Sequence, residues 1–129
     1  MERLIVDGMN VIGSRPTGWW RDRDGAKRTF IATLQDFAEA TGASVTVVLD
    51  GRPLTDVPEG SYDGVRVLYA PRRGRDAADD RIVELVEGDD EPETIVVVTS
   101  DAALRGRVQR CGAEVLGSST FLRRVEASR

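Results

Sequence analysis

TIVVVTSD, residues 94–101, decides the fold class. It is a β-branched apolar run that follows an acidic loop, DDEPE at 89–93, and closes on Ser100-Asp101. Apolar residues without polar alternation describe a strand buried on both faces, and such strands belong to parallel sheets covered by helices. Helical patterns flank the run on both sides. DAADDRIVELVEG, 76–88, precedes it with Ile82, Val83, Leu85 and Val86 on one stripe; AALRGRVQRC, 102–111, follows and stops at Gly112. Further out the alternation repeats. RLIVD (3–7), SVTVVLD (44–50), GVRVLYA (64–70) and a short EVL (114–116) read as strands. Residues 26–41 carry Phe30, Ile31, Leu34, Phe37 and Ala38 at helical spacing, with Gly42 as the stop. Residues 51–63, rich in Gly, Pro and Asp, read as loop, and the tail from 117 as a turn or short strand around Phe121 and Leu122. The expectation is a three-layer α/β/α fold with a central, mainly parallel sheet of about five strands, filling one domain over 1–129.

Composition narrows the chemistry. Hydrophobic residues make up 40% of the 129, enough for a packed core, and no apolar run reaches the length of a membrane span. The start, MERLIVDGMN, does not read as a signal peptide, so a cytoplasmic location is expected. A single cysteine, Cys111, rules out an internal disulfide and reads as a helix-packing thiol. The chain has no histidine, which excludes Ser-His-Asp and Cys-His catalysis and imidazole ligands. A bound metal would be held by oxygen, as suits Mg²⁺ or Mn²⁺ rather than Zn²⁺. The formal net charge is −4, so basic character is local; Lys27 is the one lysine among 18 basic residues. That lysine lies in the first helical stretch, away from the late strand end where a receiver-type phosphoacceptor needs one. Asp-Gly-Met-Asn replaces the Asp-x-Asp of an aspartate-nucleophile phosphatase, and no Gly-rich loop ends in Lys-Ser or Lys-Thr, which excludes a P-loop.

Three strands end on an acid: Asp7, Asp50 and Asp101. Parallel strands bring their carboxyl ends to one edge, where open α/β sheets place ligands. Asp79 precedes Ile82 and Val83 by three and four residues, so a fourth carboxylate heads a core-facing stripe, while Asp80 turns toward solvent. Converging carboxylates repel unless a cation neutralises them. Each acid also has a plainer role. Asp101 can cap the following helix, Asp76 can cap its own, and Asp7-Gly8 and Asp50-Gly51 can be turns.

The motifs VDGMNVIGS (6–14), VVLDGRP (47–53), DAADDRI (76–82) and VVVTSDAALRGRVQRCGAEVLG (96–117), in this order and spacing, resemble the NYN group of PIN-like ribonuclease domains, nearest the YacP-type branch. The resemblance covers nearly the whole chain. It implies metal-dependent cleavage of RNA, as an endoribonuclease, at an acidic edge of a helix-flanked parallel sheet. Asp7, Asp79 and Asp101 then match metal-binding acids, with Asp50 as a further strand-end acid. Asn10 matches an orienting group, and Thr99 and Ser100 are polar neighbours of Asp101. Asp76 stands where related chains tend to show Glu. Trp19-Trp20 can fill the place of a Trp that follows the first motif, facing either RNA or core. Arg72, Arg73 and Arg75 in the turn before Asp76, Arg52 after Asp50, and Arg21 beside Trp19 supply RNA contacts by arginine-on-phosphate and aromatic-on-base grip. The other reading is a catalytically silent PIN-like module that binds RNA or protein. A protein partner or a second copy of the chain is left open.

Overall fold

The computed structural model describes residues 1–71 and 76–129. Six strands form one sheet in the order β3-β4-β2-β1-β5-β6. They are β1 (Arg3–Asp7), β2 (Ser44–Asp50), β3 (Gly60–Tyr62), β4 (Val65–Ala70), β5 (Ile95–Val98) and β6 (Glu114–Leu116). All neighbours are parallel except β3 on β4. That antiparallel strand lies inside the stretch read above as loop. Its three residues are too few to show a period, and it pairs through a turn in which Asp63 and Gly64 both take positive φ.

Among the described residues five α-helices cover the sheet: α1 (Gly8–Gly13), α2 (Arg23–Thr41), α3 (Ala77–Glu87), α4 (Ala102–Arg110) and α5 (Ser118–Ala127). One apolar cluster joins α1, α2 and α5 to one face of the sheet through Val11, Phe30, Leu34, Phe37 and Phe121. A second joins α3 and α4 to the other through Ile82, Val86, Leu104 and Val108. The three-layer expectation holds, with six strands rather than five. Two helices correct the reading of the sequence. α1 carries two glycines in six residues and has no propensity signal of its own. α5 replaces the turn or strand expected in the tail: Ser118, Phe121 and Val125 make its buried stripe, and the polar start SSTF conceals it.

The topology has a switch point. β1 sits between β2 and β5, and the chain leaves β1 toward β2 over one face but reaches β5 over the other. The sheet therefore reverses its winding at β1/β5, and the crevice beyond these carboxyl ends is the switch point of an open α/β sheet.

Candidate metal centre

Asp7 closes β1 at that switch point. It is the N-cap residue of α1, yet its carboxylate makes no cap bond and is only 5% exposed. Gly8 must follow it, because a Cβ there would lie 2.5 Å from the Leu49 side chain. Across the crevice, the fully buried Thr99 donates its hydroxyl to Asp7 Oδ2 at 2.9 Å and accepts the Asp101 amide at 3.1 Å. One threonine thus ties the first acid to the loop that carries the third. Asp101 accepts the Leu104 amide at 3.1 Å as the N-cap of α4. The capping role foreseen for it is real, and it uses Oδ1.

Asn10 joins the same crevice from α1. Its Oδ1 accepts the Ser100 amide at 2.9 Å and the Ser118 hydroxyl at 2.7 Å. Ser118 is fully buried, and its own amide donates to Ser100 Oγ at 2.9 Å. Asn10 therefore orients backbone, clamping the end of β5 to the start of α5. Sequence reasoning did not find Ser118; its place four residues before Leu122 on an unrecognised helix hid it.

Asp79 and Asp80 open α3, both half-buried. Asp80 pairs with Arg107 at 3.0 Å. Asp76 occupies the N-cap position of α3, but its side chain makes no cap bond there.

The charges act on one another. Burial pushes the Asp7 carboxyl up to about 7; the Thr99 hydroxyl opposes this, and the charges of Asp79, Asp50 and Asp101 add to it. Burial pushes Asp79 up to about 6, aided by Asp101, Asp76 and Asp50 and opposed by Arg107. Asp50 is raised by burial, against the Ala78 amide and Lys27. These acids feel one another, and two are held well above the ordinary carboxylate range. Among the described residues no three of them are drawn close enough to hold an ion. The donor type fits a hard divalent cation, since every available ligand is an oxygen.

The basic residues divide. Arg52 and Arg21 are exposed. Trp19 is half-buried and Trp20 is 52% exposed, their rings edge-to-face at 6.0 Å between centroids. The Arg23 guanidinium lies 5.2 Å from the Trp19 ring centre and that of Arg21 5.9 Å from Trp20. Trp19 also lines a groove of about 440 Å³ with Val11, Ile12, Phe30 and Leu122. The pair is therefore neither core nor fully free. Arg72, Arg73 and Arg75 lie outside the described residues.

The profile of the YacP-like NYN domain matches residues 4–129. The chain belongs to that family. Its fold is similar to two crystal structures of Rae1 (YacP) from Bacillus subtilis. With one it shares 27% identity and a TM-score of 0.75 over 99% of this chain and 75% of the other. With the second, a single-site mutant, it shares 26% identity and a TM-score of 0.78 over 99% and 77%. Among curated proteins none matches the sequence. Membership makes this an RNA-related, nuclease-like domain of a class that generally uses divalent metals. No described helix is long and apolar enough to cross a membrane.

Proposed function

We propose that this domain is a divalent-metal-dependent endoribonuclease that hydrolyses RNA phosphodiester bonds at the carboxyl edge of its sheet. The observation that carries the reading is Asp7: a nearly buried carboxylate at the switch point, without a basic partner among the described residues, repelled by three further acids. A fold keeps such a charge where a cation comes to meet it.

Asp7, Asp79 and Asp101 would hold Mg²⁺ or Mn²⁺, with Asp50 on the flank of the same edge. Bound there, the ion supplies positive charge for the phosphate and an activated water as nucleophile. The chain does the rest. Thr99 fixes one oxygen of Asp7, and Asn10 holds the loop of Asp101 in place. Arg52, Arg21 and Trp19 would grip backbone and base beside the edge, joined by Arg72, Arg73 and Arg75, which precede α3 in the sequence. RNA is the partner this arrangement calls for.

The test is cleavage of a circular single-stranded RNA with Mn²⁺, by wild type and Asp7→Asn. Opening of the circle by wild type alone, stopped by a chelator, is the expected result. RNA binding without cleavage by a metal-loaded wild type would establish the silent-module reading instead.

A further inference from the structure

Lys27 is the one lysine among 18 basic residues, and it is only 5% exposed. It lies near the start of α2, three and four residues before Phe30 and Ile31, on the helix's buried stripe. Its Nζ donates to the backbone oxygen of Asp50 at 2.8 Å. The turn that follows is tight around the ammonium. Gly51 takes φ +97°, and a Cβ there would stand 3.3 Å from Nζ. Among the described residues Lys27 makes no ion pair. A buried cation of this kind costs stability unless nearby negative charge offsets it. The charges facing it are those of Asp24 on its own helix and Asp50 on β2, with Arg23 opposing them.

Everywhere else this chain uses arginine. A guanidinium spreads five donors over a wide planar fork, whereas an ammonium is a compact point charge. One carbonyl and a close glycine turn suit the second and not the first. Lys27 thus stands behind a strand-end acid held at two points: by the ammonium on its main chain and, toward its carboxylate, by the Ala78 amide at the start of α3.

We propose that Lys27 is the resident cation of the acidic edge, a positioning residue that serves Asp50 in place of a metal and leaves the divalent ion to Asp7, Asp79 and Asp101. The inference rests on the metal-site reading above. It separates Asp50, whose strand end already has an internal ammonium beside it, from the three acids assigned to the ion.

The test is calorimetric titration of Mn²⁺ into wild type, Lys27→Met and Lys27→Gln, each checked for folding by circular dichroism. At water-like screening a unit charge about 6 Å from a divalent ion changes its affinity by about tenfold. A neutral variant is therefore expected to bind Mn²⁺ roughly tenfold more tightly, or to take up a second ion at the freed Asp50. A purely structural lysine would instead leave binding unchanged or weaken it, and either result overturns the proposal. Wild type that binds no Mn²⁺ would overturn the metal-site reading and this inference with it. If neither variant folds, the single lysine gives a direct signal. With ¹³Cε-lysine labelling, Mn²⁺ is expected to broaden the Lys27 resonance of wild type, and an unbroadened resonance under saturating Mn²⁺ overturns the proposal.

Discussion

At the amino end of the sheet Arg3 grips the Asp89 carboxylate through both guanidinium nitrogens and Arg124 does the same for Glu2, whereas at the carboxyl end the charges of Asp79, Asp50 and Asp101 act on Asp7. The same side chain responds in opposite ways. The Arg3 hydrogen bond draws Asp89 below the usual carboxylate range, while burial and like charge lift Asp7 to about 7. Among the described residues arginines pair with the acids at the amino end, whereas at the carboxyl end Arg107 pairs with Asp80 and no ion pair reaches Asp7, Asp50, Asp79 or Asp101. The carboxyl end is where a topological switch point would put a ligand.

The difference can be broken from the carboxyl end first. Asp7→Asn is expected to lower Mn²⁺-dependent RNA cleavage by roughly 10²–10³-fold, since a metal contributes several kcal/mol of transition-state stabilisation. The same variant should melt at a higher temperature than wild type in chelator at pH 8. An amide still accepts the Thr99 hydroxyl and carries no buried charge. Loss of activity with a gain of metal-free stability separates a charge kept for function from one kept for structure.

The second effect is on pH. The folded Asp7 titrates near 7 and the unfolded one near 3.8, so the folded state binds the extra proton between those values. Metal-free stability should therefore fall as pH rises from about 4 to about 7, by roughly 2–4 kcal/mol. Asp7→Asn should remove most of that slope. Urea melts at pH 5 and pH 8 in chelator measure it.

A smaller loss is expected from Thr99→Val, which keeps the shape but removes the hydroxyl that serves Asp7 and Asp101. It should cost about 1–3 kcal/mol at pH 8, with weaker Mn²⁺ binding, by thermal melts and calorimetry. The smallest effect belongs to the opposite end. Arg3→Gln breaks a surface pair and should shift the melting temperature only slightly, leaving metal binding and RNA cleavage as in wild type.

Much of this edge is written in the chain as strand endings. β1 and β2 end in acids, Asp101 follows β5 by three residues, and β-branched runs mark these strands as parallel and buried, so Asp7, Asp50 and Asp101 could be brought to one edge before any coordinates. Helical spacing placed Asp79 there as well. What stayed hidden was the means by which these residues are held. Ser118 sits on a helix whose first turn is polar, and Asn10 on a helix with two glycines, so neither showed a period. Thr99 was legible as a neighbour of Asp101, but its bond to Asp7 joins residues 92 apart in sequence. Lys27 did leave a signal, a lone lysine on the apolar stripe of α2, though its partner Asp50 is set by the packing of α2 on β2.

The most direct measurement is calorimetric titration of Mn²⁺ into wild type at pH 6.5, in two buffers of different ionisation enthalpy. The account predicts binding accompanied by proton release, because a ligand that titrates near 7 must give up its proton to the ion, and predicts loss of both in Asp7→Asn. Folded wild type that takes up no Mn²⁺ at millimolar concentration, or binds it equally well without Asp7, would contradict it.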